Sequence, residues 1–386
     1  MGVYLDYNAS APIDMRVVDS MIDAYEFFFG NADSRTHDFG DNARKAVDDA
    51  RASVANLIGV NKDEVFFTSG ATESDNLAII GMKEYGFRNK RKHIIVSGIE
   101  HKAVLESAKS LENFGFEVEM INPDDSGRIN ENKLLEMIRE DTLLVSVMHV
   151  NNETGIIQPV DKIGDALSST NTFFHIDATQ SCGKLVEEIR GLKYDMMSIS
   201  AHKMSGPQGI GALILKRKSY KLPPISAIMY GGHQERGLRP GTTPVALTAG
   251  FGKACDIALE EYAQNMIHCQ KAKKIVLELL EESELRYKIN GSQEYCMPST
   301  INISLERVSS EALMLSSKQY CGISNGSACT SKEYVLSYVL TAMGLSEERM
   351  ECALRISWGA KTDLDVLRVE FKKLLEVARG LLFTWN

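Results

Sequence analysis

The chain has 386 residues, of which 44% are hydrophobic and 25% charged, and its formal net charge is −9. Such proportions are typical of a globular protein that buries a large core, and the length suits one large and one smaller domain. Because proteins that grip nucleic-acid phosphates usually carry a basic excess, the acidic charge argues against direct nucleic-acid binding.

The seven cysteines are odd in number and contain no C-x-x-C pair. This pattern argues against a disulfide framework or a structural zinc site, so we expect no metal and a reducing, cytoplasmic setting. The sequence shows no signal-peptide pattern and no apolar run of membrane-spanning length, so we expect no membrane association.

Short apolar runs alternate with helical patterns between residues 64 and 216. The runs are 65–67, 93–97, 116–121, 143–150, 173–177, 196–200 and 210–215. Residues 102–114 and 131–140, between such runs, have the spacing of amphipathic helices. The alternation predicts βαβ units and a largely parallel sheet with helices on both faces, in which ligands bind beyond the carboxyl ends of the strands.

The pattern changes after about residue 250. A long helical stretch, 254–282, precedes a strand-like run, 300–305, a Gly/Ser-rich segment, 322–331, and a last helical pattern that begins at Asp363. These features predict a smaller α+β domain. We expect residues 15–255 to form the large domain, and residues 1–14 and 256–386 to form the small domain.

Residues 68–74 join the end of an apolar strand to the start of a helical pattern through small and hydroxyl residues. A helix N-terminus with free backbone N–H groups and hydroxyl side chains is a phosphate site. Thr and Ser are also ordinary helix caps, so this segment alone does not distinguish the two interpretations.

Asp177 ends a predicted buried strand, where a carboxylate needs a partner. A protonated pyridine nitrogen is one such partner and would make the ring an electron sink, although backbone amides or an arginine would also suffice. Lys203 follows the next strand, and partial burial there would lower the pKa of its amine and favour a Schiff base with an aldehyde. Residues 200–203 also fit the S-x-x-K signature of serine acyltransferases, but the chain has no K-T-G motif.

Six stretches together carry a resemblance to a known family. They are TSGATESDNLAI (68–79), EHKAVLESAK (100–109), MHVNNETG (148–155), HIDATQSCGK (175–184), SAHKMSGPQGIGAL (200–213) and NGSACTS (325–331). The chain resembles the cysteine desulfurases of the NifS/IscS type, in the class V branch of fold-type I pyridoxal 5'-phosphate (PLP) enzymes. The resemblance implies an α/β large domain with a mostly parallel seven-stranded sheet, a smaller α+β C-terminal domain, and PLP as the cofactor.

The resemblance also implies a role for each residue that would contact the cofactor ring. Lys203 would bind PLP covalently, and Asp177 would pair with the pyridine nitrogen. Gln180 would form a hydrogen bond with the ring hydroxyl, while His101 would stack on the ring and move protons. The remaining cofactor-binding residues implied by the resemblance are Ala71, Thr72, Asn152, Ser200, His202 and, from the neighbouring subunit of an obligate homodimer, Thr242.

Cys329 lies among small and hydroxyl residues that offer no core packing, which is typical of an exposed loop and a reachable nucleophile. The resemblance implies that Cys329, Lys203 and His101 are catalytic. L-cysteine would be the substrate, with its carboxylate held by Arg355 and with Asn152 and Asn31 beside it. Alanine would be released, and a persulfide on Cys329 would pass its sulfur to an acceptor protein. Four other cysteines are expected to be packing residues: Cys182, Cys255, Cys321 and Cys352.

Residues 30–40 and 239–242 resemble more closely the desulfurases that supply DNA phosphorothioate modification, of the DndA or SspA kind. The last residues, 381–386, also lack the longer tail with which housekeeping members dock an iron–sulfur scaffold, which favours the same expectation. Sulfur donation to iron–sulfur clusters or to tRNA thiolation is the alternative pathway. A selenocysteine lyase or aminotransferase, and a non-catalytic sulfur-relay protein, are the alternative activities.

Overall fold

The structure, a computed structural model, describes residues 2–326 and 336–382. Its strands are β1 (Val3–Tyr4), β2 (Val65–Thr68), β3 (His93–Ser97), β4 (Glu117–Ile121), β5 (Thr142–Ser146), β6 (Phe173–Asp177), β7 (Met196–Ser200), β8 (Gly211–Leu215), β9 (Tyr287–Ile289), β10 (Thr300–Leu305), β11 (Cys321–Gly322) and β12 (Ala353–Ser357). Its helices are α1 (Met15–Phe27), α2 (Asp38–Ile58), α3 (Ala71–Ile80), α4 (Lys83–Asn89), α5 (Lys102–Ser110), α6 (Glu131–Glu136), α7 (Val160–Leu167), α8 (Val186–Gly191), α9 (Val245–Glu282), α10 (Ser310–Ser317), α11 (Tyr338–Ala342), α12 (Glu347–Glu351) and α13 (Leu364–Gly380). Short 3₁₀ turns cover Lys62–Glu64, Leu111–Phe114, Ala201–Met204, Gln234–Gly237 and Gln293–Tyr295.

Seven strands form the central sheet in the order β2-β8-β7-β6-β5-β3-β4. Strand β8 pairs antiparallel with both β2 and β7, and the other pairings in this sheet are parallel. Every residue of β5, β7 and β8 is buried, as expected for strands covered by helices on both faces. The predicted α/β fold with a mostly parallel seven-stranded sheet is confirmed, and six of these strands end at the same edge of the sheet.

Two predicted boundaries differ from the structure. The strand predicted at 143–150 ends at Ser146 in the structure. The residues that follow lead into a turn at Asn151, whose side-chain oxygen accepts hydrogen bonds from the N–H groups of Glu153 and Thr154. Helix α9 begins nine residues before the predicted start at 254. Gly250 and Gly252 weaken the helical pattern there, but a Cβ on Gly252 would lie 2.6 Å from the Cα of Ala50, so close packing against α2 requires this glycine.

Helix α9 contributes to two separate apolar cores. Its first part packs Phe251 and Cys255 into the core beneath the seven-stranded sheet. Its second part packs Val276 and Leu280 against the three-stranded antiparallel sheet β12-β10-β9 and against Phe371 of α13. The long helix is therefore the element that both cores share.

The N-terminal residues pack with the C-terminal part of the chain. Strand β1 pairs in parallel with β11, and Leu5 is fully buried in the second core. The backbone N–H of Ser357 donates to the carbonyl of Leu5, so residues after Leu5 emerge beside the end of β12. This path carries the polar residues 6–10 towards the carboxyl edge of the seven-stranded sheet. In the part of the chain that the structure describes, no helix is long and apolar enough to cross a membrane.

Candidate active site

A cavity of about 990 Å³ lies at the carboxyl edge of the central sheet. It brings together the predicted residues Ala71, Thr72, His101, Asn152, Asp177, Gln180, Ser200, His202, Lys203 and Arg355. Most of them directly follow a parallel strand, so the sheet itself gathers residues that are far apart in sequence.

Two predicted residues of the described chain are not among those that line this cavity, and a third, Cys329, is not described by the structure. Asn31 and Thr242 are exposed on the surface, away from the cavity of the same chain. Asn31 instead accepts a hydrogen bond from the N–H of Asp33 at 2.9 Å. Cys329 lies outside the described residues, but Gly326 and Leu336 on either side of that gap both line the cavity.

One end of the cavity is formed by the N-terminus of α3. The residue before this ten-residue helix is Gly70, with a φ of 151°, and no side chain caps the first N–H groups. A side chain at Gly70 would point towards the Ser200 hydroxyl, 3.9 Å from a Cβ. Free N–H groups, the Thr72 and Ser200 hydroxyls and the helix dipole together form an anion site of the kind that binds phosphate.

Two ion pairs formed by the segment before α9 stabilise the anion site at the N-terminus of α3. Glu235 binds Arg51 through both carboxylate oxygens, at 2.6 and 2.8 Å, and also accepts the N–H of Phe67 on the edge strand β2. Arg239 lies 3.0 Å from Glu73 in the first turn of α3, and Glu73 accepts the N–H of Ser69. The segment that carries Thr242 is thus fixed to the loop that precedes α3.

Lys203 follows β7 through the 3₁₀ turn Ala201–Met204. Its amine donates hydrogen bonds to the carbonyls of Asn8, at 2.5 Å, and Ala9, at 2.7 Å. The Asn8 carbonyl also accepts the side-chain amide of Gln180 at 3.0 Å. Sequence reasoning missed Asn8; the only signal was a polar run directly after the apolar residues 3–5.

Asp177 and Gln180 place polar side-chain atoms at the wall of the cavity. Asp177 is buried and accepts the N–H of Thr179 at 2.9 Å. Among the described residues, the side-chain oxygens of Gln180, Asn152 and Thr179 are buried and have no hydrogen-bond partner. Because such atoms are costly to bury without a partner, the cavity wall is built for a polar ligand.

The two predicted histidines are held differently. The Nδ1 atom of His101 accepts the N–H of Ala103, so in the neutral ring the proton resides on Nε2. Desolvation lowers the pKa of His101, Asp177 opposes that shift, and Lys203 and Lys102 add to it. Burial and the nearby Lys203 lower the pKa of His202 to about 4, so this imidazole is neutral at neutral pH.

Arg355 is almost completely buried, which distinguishes it from a surface salt bridge. One end of its guanidinium lies 2.7 Å from the Asp6 carboxylate, and the other donates to the carbonyl of Asn152 at 3.2 Å. Its Nε has no hydrogen-bond partner among the described residues. A fixed, planar cation of this kind suits recognition of a carboxylate.

Sequence reasoning also missed two buried acids, Glu100 and Glu153, near the cavity. Glu100 accepts the N–H of Met148 at 2.6 Å and also a hydrogen bond from Ser97. Burial, with a smaller effect of Asp177, raises the pKa of Glu100 to about 8. Glu153 accepts the Ser337 hydroxyl at 2.5 Å, and burial raises the pKa of its carboxyl. Both acids lie within the stretches that carry the family resemblance, but nothing in the sequence shows that they are buried.

Comparisons with known proteins agree with this geometry. The family model for class V aminotransferases matches residues 3–367. The cysteine desulfurase IscS of Pasteurella multocida is 45% identical over 364 residues, which cover 94% of this chain and 89% of that protein. A solved NifS-like protein superposes with a TM-score of 0.90 at 34% identity, covering 99% of this chain and all of the other. DndA from Streptomyces lividans superposes with a TM-score of 0.80 at 42% identity, covering 90% of this chain and 97% of the other.

The fold and the site define a class V aminotransferase-type, PLP-dependent enzyme. The chain belongs, within that family, to the cysteine desulfurases of the NifS/IscS type. The predictions of the family, of an enzyme and of PLP as its cofactor are confirmed.

The raised pKa of Glu100 predicts a specific pH dependence of stability. Between pH 4.5, its usual pKa, and about 8, the folded protein keeps a proton that the unfolded chain loses. Glu100 therefore makes the free energy of unfolding fall as pH rises through this interval, by up to about 1.4 kcal/mol per pH unit. In Glu100→Gln this contribution is absent, and urea titrations at several pH values should show a flatter profile than wild type.

The matched control is Glu106→Gln, because Glu106 is an exposed residue of the same helical region at the cavity. Its pH profile should follow that of wild type. Parallel profiles for Glu100→Gln and wild type would contradict the burial of a neutral acid at this position.

Proposed function

We propose that the chain converts L-cysteine to L-alanine and that Cys329 receives the sulfur as a persulfide, for transfer to an acceptor protein. The observation that carries this proposal is the convergence of Lys203, Asp177, His101 and the free N-terminus of α3 on one cavity. A reactive amine, an acid for a ring nitrogen, an imidazole and an anion site are the parts that PLP chemistry needs.

The residues present fit PLP. The N-terminus of α3, with Thr72, Ser200 and His202, would hold the phosphate, and the unpartnered oxygen of Gln180 faces the cavity where a ring hydroxyl would be bound. Asp177 would pair with the pyridine nitrogen. When bound, PLP supplies an electron-accepting ring that stabilises negative charge at the substrate Cα.

The chain's own groups would then position the substrate and move its protons. The Arg355 guanidinium would bind the substrate carboxylate, with Asn152 beside it. Lys203 would take the proton from Cα, because its amine is held at the cavity wall by two carbonyls. The His101 ring is fixed through Nδ1. Its Nε2 would exchange a proton with the substrate sulfur, before or after the Cβ–S bond breaks.

The sulfur step balances without an added oxidant. The Cys329 thiolate forms an S–S bond with the substrate sulfur as the substrate's Cβ–S bond breaks. Both sulfurs are oxidised by one electron each, and Cβ is reduced by two electrons and gains a proton as alanine forms. The products are alanine and the Cys329 persulfide.

Replacing the proposed nucleophile should separate cofactor binding from sulfur transfer. Cys329→Ala should lower alanine formation from L-cysteine at least about 100-fold, because no thiol remains to accept the sulfur. The visible absorbance of the bound cofactor should be unchanged. Measuring alanine, sulfide and the spectrum on the same sample tests both statements.

The control is Cys296→Ala, since Cys296 is half-buried and burial raises the pKa of its thiol. This variant should keep its activity. Full alanine yield from Cys329→Ala would refute the proposed nucleophile, and loss of the cofactor spectrum would assign Cys329 a different role.

We propose further that two copies form a homodimer with shared active sites. Four aromatic side chains, Tyr25, Phe27, Phe29 and Phe39, are between 55 and 66% exposed. An exposed apolar surface of this kind marks an interface. Asp33, within the same segment, accepts a hydrogen bond from Gln234 at 2.6 Å, so this surface adjoins the segment that carries Thr242. An exposed Thr242 is then available to the phosphate site of a second copy.

Mixed dimers test this arrangement. Thr242→Ala should weaken cofactor binding about 10- to 100-fold, because one hydrogen bond to a charged phosphate is lost. Lys203→Ala should be inactive. A hybrid of the two contains one intact site, so at limiting PLP its activity should exceed that of either parent.

Thr243→Ala, one residue further along, is the control and should bind the cofactor as wild type does. If hybrids show only the average of the parental activities, Thr242 does not act across a subunit boundary.

For the pathway, we propose sulfur supply to DNA phosphorothioate modification, through an acceptor protein and without direct contact with DNA. The likeness of residues 30–40 and 239–242 to that type of desulfurase and the 42% identity to DndA from Streptomyces lividans support it. The 45% identity to IscS of Pasteurella multocida supports iron–sulfur cluster assembly as the second candidate.

Transfer of label distinguishes the two pathways. The holoenzyme is incubated with radiolabelled L-cysteine and with an acceptor from each pathway in competition. We expect persulfide label chiefly on the phosphorothioation protein. Label only on the iron–sulfur scaffold would overturn this assignment while leaving the desulfurase activity intact.

We also propose the domain division 15–255 against 1–14 plus 256–386. The two apolar cores support it, since α9 changes from one core to the other between Ala258 and Cys269. Pairing of β1 with β11 supports assigning the first residues to the smaller domain.

A further inference from the structure

Asp75 is a buried acid that the proposed reaction does not use. It lies on α3, three residues after Thr72, and its side chain is completely buried. Among the described residues, neither of its carboxyl oxygens has a hydrogen-bond partner within normal geometry. A buried ionised carboxylate in such a position is strongly disfavoured, so its presence calls for a physical explanation.

The groups that face Asp75 offer it no positive charge. From β6 these are His175, whose Nε2 lies 3.6 Å from the nearer Asp75 oxygen, and Asp177. Strand β7 contributes the Ser198 hydroxyl, and the turn after β3 contributes Glu100. No lysine or arginine in residues 2–326 and 336–382 forms an ion pair with Asp75.

His175 is held in place as a neutral ring. Its Nδ1 lies 2.8 Å from the Ser146 hydroxyl and its Nε2 lies 2.9 Å from the Ser198 hydroxyl, all in the buried interior of the sheet. Burial lowers the pKa of His175 to about 3, so the ring carries no charge that could balance Asp75. His175 and Asp177 point to the same face of β6 because they are two residues apart.

The surroundings of Asp75 and Asp177 differ in their access to water and to hydrogen-bond donors. Asp177 reaches the cavity and accepts a backbone N–H, whereas Asp75 has neither solvent nor a donor in normal geometry. A carboxyl group without contact with water is more costly to ionise than one that faces a cavity. Burial first, and then Asp177, raise the pKa of Asp75.

We infer that Asp75 is a protonated carboxylic acid and that it forms a neutral pair with His175 in the buried interior between α3 and the sheet. The acid proton is available to the Nε2 of His175 or the hydroxyl of Ser198. Because the pair is uncharged, it adds no second charge near Asp177, which would face the cofactor nitrogen, a consequence that rests on the proposed function.

Infrared spectroscopy of the holoenzyme measures the protonation state directly. At about pH 9, above the pKa of about 8 of Glu100, a protonated buried acid should still give a carboxylic C=O band. The band should disappear in Asp75→Asn and persist in the control Asp165→Asn, which changes an exposed aspartate. A wild-type spectrum without the band, or a band unchanged in Asp75→Asn, would overturn the inference.

Isotope labelling makes the result independent of how well Asp75→Asn folds, and a titration of the cofactor adds a readout other than activity. In wild type labelled with ¹³C-carboxyl aspartate, the band should shift in frequency; an unshifted band would assign it to another residue and overturn the inference. The pH titration of the cofactor absorbance should move by less than about 0.3 pH unit in Asp75→Asn, since one neutral group replaces another. A shift of about one unit would mean that Asp75 is ionised. The infrared result stands whether or not alanine and sulfide are formed.

Discussion

Withdrawal of charged groups from water at one edge of a parallel sheet is the constraint on which the rest of the site depends. Six strands end there, and the side chains that follow them include an amine, an imidazole and a carboxylate. Each retained charge has a compensating contact: carbonyls for Lys203, Asp6 for Arg355 and a backbone N–H for Asp177. Burial outweighs the hydrogen bonds of two other groups, and it raises the pKa of Glu100 and lowers that of His175.

The N-terminal segment supplies much of this compensation. Asp6 and Asn8 come directly after residues that are anchored in the C-terminal core. Asp6 pairs with Arg355, and the Asn8 carbonyl accepts a hydrogen bond from the Lys203 amine. Asn8 also bonds through its side chain to Thr300 at 3.0 Å and to the Asn152 carbonyl at 3.1 Å. Displacing this segment would therefore release the lysine and the arginine together, so the orientation of the two cores controls the geometry of the site.

The sequence predicts local patterns well and distant contacts poorly. The strands that end at Asp177 and Ser200 are predictable because both are short, apolar runs that stop at polar residues. The pairing of Asp6 with Arg355 joins residues 349 positions apart, and nothing in the local pattern of either residue encodes it. Gly252 misled the prediction of α9, because the close approach to α2 that requires glycine is a tertiary contact. Nor does the local pattern show that Asn31 and Thr242 lie on the surface, outside the residues that line the cavity.

The contacts of the edge strand β2 link the stability of one chain to the formation of the proposed dimer. An edge strand exposes backbone groups, and here the Arg51–Glu235 pair takes the place of a neighbouring strand by binding the carbonyl of Val65 and the N–H of Phe67. The Arg51 guanidinium also lies 4.6 Å from the centre of the Phe67 ring. Strand β2 leads directly into the loop before α3, and Glu235 begins the segment that continues to Thr242. This ion pair, together with the Arg239–Glu73 pair, thus fixes both the loop before α3 and the segment that carries Thr242. In the proposed dimer, the phosphate sites of both chains would depend on these contacts.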